Sequence, residues 1–218
     1  MYRFLTVVTP AQSQDMTTRD RIKDEIGIIG NDTLIDGFIR DASRAAAKYC
    51  HREFIAQEVT ETFRPYPYVD SASLTNLPEF IYLRRFPVTT FSLANDGMTL
   101  LFTADGEALV EGTDFECDRT TGRLVWLSND MPLRWHFSKI VCQYTGGYTF
   151  PGTLEADIER AVIEIVKDMW FARKRDPMLR QMNIPGVADL QYWVGGVGGD
   201  SWPPKVSDLL APYIAAMF

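Results

Sequence analysis

Residues 142–155, CQYTGGYTFPGTLE, bring together residue types that could do chemistry: a β-like run, paired glycines, a proline and the start of a helix. A strand, a Gly-rich turn and a helix N-terminus are the parts of a phosphate-binding loop, in which backbone N–H groups and the helix dipole face an anion. Two details argue against that use. The helix opens with Glu155, Asp157 and Glu159, carboxylates that satisfy the positive end of the dipole and repel a phosphate. No lysine lies between Lys139 and Lys167, and Arg160 stands a turn too far in to replace a P-loop lysine. The junction reads as a turn, with Gly146–Gly147 ending the strand and Thr153 capping the returning helix.

Other candidates carry less. GGVGGD at 195–200 lacks the GxGxxG register and runs into Trp-Pro-Pro instead of a helix. The carboxylates at 155, 157 and 159, with Glu164 and Asp168, could in principle hold a divalent ion, but their spacing is not that of an EF-hand and a solvated helix face accounts for them. Cys50, Cys117 and Cys142 are too widely and irregularly spaced for a disulfide framework or a CxxC site, and read as buried thiols. His51 and His136 belong to no HExxH pattern. No GxSxG or SxxK motif marks a nucleophile. The basic ARKRDP at 172–177 sits where cations balance a helix C-terminus. The expectation is a protein with no catalytic residue, no cofactor and no metal.

The elements that would position such groups fall into three stretches. Residues 17–52 have helical periodicity: TTRDRIKDEI, then a break at GNDT, where Asp32 or Thr33 can cap the next helix. In that helix Leu34, Ile35, Phe38, Ile39, Ala42, Ala46 and Tyr49 share one arc, with Arg40, Arg44 and Lys48 opposite. From 54 to 148 short β-branched and aromatic runs alternate with turn residues; DFECDRTTGRLVWL is the clearest hairpin, with Asp118–Gly122 at its tip and Phe115, Leu124 and Trp126 on one face. Helix returns at 154–175, where Leu154, Ile158, Ala161, Val162, Ile165, Val166, Met169 and Trp170 form a stripe that Ile163 and Phe171 widen past half the circumference. Such a helix sits at the centre of its own domain or touches a second protein. A last amphipathic stretch gathers Val206, Leu209, Leu210, Tyr213, Ile214 and Met217. The expected class is α+β: a small helical bundle (17–53 and 149–218, with a C-terminal docking segment) interrupted by an antiparallel β-rich insertion at 54–148.

Composition bounds the function. At 218 residues, 46% hydrophobic and 23% charged, the chain can bury a real core and shows no bilayer-spanning run and no secretion signal, so a protein made and kept in a cytosol is expected. A net charge of −7 disfavours stable duplex binding while allowing passing contact with DNA.

The order of motifs adds a resemblance. LIDGFIRDASRAAAKYCHREFIAQEVTETF, then LRRFPVTTFSLANDG, DFECDRTTGRLVWL and IVCQYTGGYTFPGTLEADIERAVIEIVKDMWFARKRDP, over about residues 17–177, resemble the head–tail connector (adaptor) family of tailed bacteriophages. The chain is also similar to the adaptors of phage-like gene transfer agents. The resemblance implies a non-enzymatic virion protein, made in a bacterial host's cytoplasm, that forms a commonly dodecameric ring beneath the portal protein. That ring would meet a stopper or tail-completion protein, let DNA pass through with only transient contact, and have no membrane partner. A head-completion or stopper role in the same neck is the first alternative; a soluble α+β ligand-binding protein or hydrolase is the second. Candidate interface residues are Ile163, Trp170 and Phe171 as leftover apolar surface, Leu209, Leu210 and Tyr213 near the C-terminus, and the Arg40, Arg44, Lys48 stripe, which either stays solvated or meets Glu164 and Asp168 on a neighbour.

Overall fold

A computed structural model of the chain describes residues 2–64, 79–91, 101–102, 108–135, 139–150, 156–173, 181–184, 188–191 and 203–214. The chain divides into a β unit, Met1–Gln12 with Phe54–Thr149, and a helical unit, Ser13–Glu53 with Phe150–Phe218. The class is α+β.

In the β unit the described residues form, in chain order, β1 (Tyr2–Thr9), β2 (Gln57–Arg64), β3 (Phe80–Tyr82), β4 (Val88–Phe91), β5 (Leu101–Phe102), β6 (Ala108–Leu109), β7 (Phe115–Asp118), β8 (Arg123–Ser128), β9 (Met131–Leu133) and β10 (Ile140–Gly146). One sheet runs β1-β2-β10-β5-β6, with β4 also on β10; a second runs β3-β8-β7, with β9 on β8. Strand-to-strand pairing is antiparallel throughout. Alternation sets the register. On β2 every second residue from Gln57 to Phe63 is buried, and pairing places Val59 opposite Tyr144, Glu61 opposite Cys142 and Phe63 opposite Ile140. These join Ile81, Leu83, Val88, Phe91, Phe115, Leu124 and Trp135 in one apolar cluster fed by both sheets. Phe91 packs edge-on to Phe115 at 5.6 Å between ring centroids, a favoured aromatic geometry.

The β7–β8 hairpin forms as its sequence implies. Asp118 accepts from the N–H groups of Thr120 and Thr121, and Gly122 takes the left-handed φ of 70° that closes the tip. Pairing of Phe115 with Trp126 and of Cys117 with Leu124 puts the expected side chains on one face. Strand β1 is an addition to the sequence reading, which starts the strands at residue 54. Its YRFLTVVT carries the β-branched and aromatic signal of a strand, and it extends the sheet along β2.

The helical unit contains α1 (Arg19–Ile26), α2 (Asp32–Tyr49), α3 (Ala156–Ala172) and α4 (Pro204–Leu210), the last continued by a 3₁₀ turn at Ala211–Tyr213. A small hairpin pairs β11 (Gln181–Ile184) with β12 (Ala188–Gln191). Thr18 caps α1 by accepting from the Arg21 N–H, and Gly27, at φ 70°, ends it. Neither Asp32 nor Thr33 caps α2. That helix starts at Asp32 itself, after Asn31 in the left-handed conformation with no side-chain cap bond. Leu34 is 41% exposed, outside the expected buried arc, whereas Ser43 is buried because its hydroxyl accepts from the Met16 N–H at 3.1 Å. The expected cap Thr153 and the stripe residue Leu154 lie outside the described residues.

Helix α3 is the hub, packing against α1, α2 and α4. That arrangement explains its breadth of apolar residues: Ile158, Ala161, Val162, Ile163, Ile165, Val166 and Trp170 are all buried. Burying each large side chain contributes roughly 1.5–3 kcal/mol. Among the described residues no helix is long and apolar enough to cross a membrane.

Candidate subunit interface

The glycine junction is filled by protein. The Gly147 N–H donates to the Pro87 carbonyl at 2.9 Å and the Tyr148 N–H to the Phe54 carbonyl at 2.6 Å, so the groups a phosphate would need are already bonded. A side chain at Gly146 would lie 2.3 Å from the Arg85 carbonyl oxygen, and one at Gly147 would lie 2.7 Å from that of Ile55. These glycines exist because two other backbone segments pass against them. GGVGGD lies outside the described residues, as does ARKRDP beyond Arg173.

Among the described residues two carboxylates are fully buried, and the sequence reading missed both. Glu61 Oε2 accepts from the Tyr144 hydroxyl at 2.8 Å and from the Arg84 N–H at 3.0 Å, while the Tyr144 oxygen accepts from the Arg85 N–H at 3.1 Å. Burial pushes the Glu61 carboxyl above its usual range, against the pull of the Arg84 N–H and the Tyr144 hydroxyl. The same burial raises Tyr144. The pair faces backbone donors in a packed core, an arrangement that pins the Leu83–Arg85 turn and offers no approach to a substrate. Glu159, expected on a solvated face, is instead buried. Thr17 Oγ1 donates to it at 3.0 Å, and Arg21 pairs with it at 3.1 Å, which docks the start of α1 onto α3. Cys50 and Cys142 are buried thiols as expected, whereas Cys117 is half-buried; burial lifts Cys50 to about 11 and Cys117 to about 12, and raises Cys142 well above its usual value.

The expected interface residues separate by burial. Ile163 and Leu210 are fully enclosed and Trp170 is 7% exposed, so the leftover apolar flank narrows to Phe171, at 65%. The correction follows from the hub role of α3, whose breadth is used up within its own unit. Trp170 is also covered by the Arg173 guanidinium. Leu209 and Tyr213 are half-buried. Arg40, Arg44, Lys48 and Asp168 are exposed. Glu164 lies between three cations of its own chain: Arg160 at 2.5 Å, Lys205 at 3.0 Å and Lys167 at 3.6 Å.

These cations extend a charged lattice that binds the helices together. Glu25 on α1 meets Arg160 at 2.7 Å and Lys167 at 3.1 Å, Lys23 meets Asp32 at 2.6 Å, and Arg19 holds Asp32 and Asp36. The bond from Lys167 lowers Glu25, that from Lys23 lowers Asp32, and that from Arg19 lowers Asp36. At Glu164 burial pushes upward, but Lys205, Lys167 and Arg160 together hold the group below its usual range.

The strands around Glu61 and the helical unit are therefore expected to answer acid in opposite directions. A depressed carboxylate contributes stability that is present above its unfolded pKa of about 4 and lost as pH falls through its folded value. Glu61, being raised, contributes stability that is full below about pH 4 and lost as pH rises through its folded value. Hydrogen exchange, corrected for intrinsic rate, should show β2 and β10 better protected near pH 5 than at neutrality. Amides of α1 and α4 should lose protection below about pH 4. Uniform behaviour of β2, β10 and the helices would contradict the assignment.

No family model matches the sequence, and no curated protein matches it. Solved structures do. A chain in the neck of an empty gene transfer agent (GTA) particle, computed with C6 symmetry, superposes at TM-score 0.54 with 14% identity, covering 99% of this chain and 97% of that one. A chain in the neck of the native particle, computed with C12 symmetry, gives 0.51 and 15% over the same shares. The present chain shares their fold. A chain in the virion of the native GTA particle gives 0.52 and 14%, covering 98% and 96%. The likeness to these GTA chains spans both units, the β strands as well as the helices. At this identity it speaks for the fold, while the surface residues are this chain's own.

Proposed function

We propose that the protein is a structural head–tail adaptor of a phage or phage-like particle. Copies form a ring under the portal protein at the capsid vertex, receive a stopper or tail-completion protein on another surface, and leave a central passage for DNA. The observation that carries this reading is the end-to-end match of fold, over 99% of the chain, with chains from GTA necks. Net charge supports it: at −7 the chain suits a wall along which DNA slides without sticking. Its residues are recruited for packing and assembly, and the buried carboxylates serve as docking points.

Mixing the purified protein with its cognate portal and imaging the product tests the proposal. A ring capping the tail-side face of the portal is expected. Binding only to a portal already carrying another neck protein would reassign the chain as a stopper, and no binding in either setting would overturn the role.

A further inference from the structure

Cations in the described part of the helical unit are largely matched: Arg19, Arg21, Lys23, Arg160, Lys167 and Lys205 all hold carboxylates. Besides Arg173, which lies over the Trp170 ring, the described cations with no carboxylate of their own include three on the exposed face of α2. Among the described residues no ion pair engages Arg44 or Lys48, and the electrostatic neighbour of Arg40 is Asp36, which Arg19 already binds. On α3 the counterpart is Asp168, exposed and likewise without an ion pair among the described residues, one turn from the exposed Phe171.

The spacings match. On α3, Glu164, Asp168 and Phe171 follow at intervals of four and three, which keeps them on one face; on α2, Arg44, Arg40 and Gly37 follow at the same intervals in the opposite direction. Two antiparallel helices with a rise of about 1.5 Å per residue therefore bring all three positions opposite one another. Gly37 has open space where a side chain would be, which leaves a flat seat for an aromatic ring, and the exposed Leu34 flanks it.

We propose that α2 of one copy packs antiparallel against α3 of the next, with Arg40 on Asp168 as the central bond, Arg44 toward Glu164, and Phe171 seated on Gly37. This rests on the ring-forming role above and names its subunit contact. Glu164 already shares its charge with three cations of its own chain, so the Arg40–Asp168 bond sets the register. Because the two faces are different surfaces of one unit, the contact is head-to-tail and repeats from copy to copy until rotation closes it.

The test is a charge exchange, read as ring occupancy on the portal against protein concentration. Arg40→Asp and Asp168→Arg each replace an exposed residue, and melting curves check that both variants fold. Each is expected to raise the half-saturating concentration about tenfold, and the double variant to return it to within about threefold of the parent. Single reversals that bind like the parent, or a double variant that fails to recover, would overturn the contact while leaving the adaptor role standing. A parent chain that never binds the portal would instead remove that role, and the contact with it.

Discussion

A Gly146→Ala protein is expected to lose about 3 kcal/mol or more of stability, at the upper end of what overpacking costs. The added carbon would stand 2.3 Å from the Arg85 carbonyl oxygen and 2.8 Å from both the carbonyl carbon and Cβ of that residue, distances real side chains do not show. Neither side can yield cheaply. Gly146 ends the strand that pairs with both β2 and β4, and the Arg85 N–H is bonded to the Tyr144 hydroxyl. A fall of about 10–20 °C in the melting of the β unit follows from that loss. Gly37→Ala is the contrast, since it adds a methyl group in open space within a helix and should stabilise α2 by up to about 1 kcal/mol. If the two variants melted alike, the close approach at the junction would be wrong.

The second large effect concerns Glu61. Truncation to alanine leaves the Tyr144 hydroxyl and the Arg84 N–H without their acceptor inside a packed core. At about 1–3 kcal/mol for each orphaned donor, the loss should reach about 3–5 kcal/mol. Glu61→Gln keeps an acceptor of the same shape and removes a charge that burial already disfavours. Its NH2 takes the place of Oε1, which has no hydrogen-bond partner, so the variant should lose about 1–2 kcal/mol at neutral pH, less than the alanine one. Urea unfolding of the two variants separates the causes. A glutamine variant as damaged as the alanine one would mean that attraction to Arg3, whose Nε lies 3.7 Å from Glu61 Oε1, outweighs the hydrogen bonds.

Local chemistry was readable where a few neighbouring residues decide the outcome. Asp118, Thr121 and Gly122 specify their turn by themselves, and the glycine junction declined a phosphate because its carboxylates and missing lysine lie within the same stretch. What escaped depends on partners far along the chain. Glu159 looks like a surface acid until Thr17, 142 residues earlier, is brought onto it. Glu61 looks like the polar half of an alternating strand until Tyr144, 83 residues later, supplies a hydroxyl. The breadth of α3 left two explanations open, an own core or a foreign surface, and three neighbouring helices settle Ile163 and Trp170 as core. Phe171 remained legible as surface because it alone of the three falls on the side that the other helices leave bare.

Neither unit is a continuous stretch of polypeptide, since residues 1–12 belong with 54–149 and residues 13–53 with 150 onward. As the chain leaves the ribosome, α1 and α2 emerge well ahead of the hub that encloses them, and β1 and β2 ahead of the strand that completes their sheet. Both cores are thus finished late, with α3 arriving only after the whole β segment has been made. Nascent copies would carry Ile35, Ile39 and Ala42 uncovered for most of synthesis, which makes this early apolar face a natural target for a chaperone holding the chain until its second half appears.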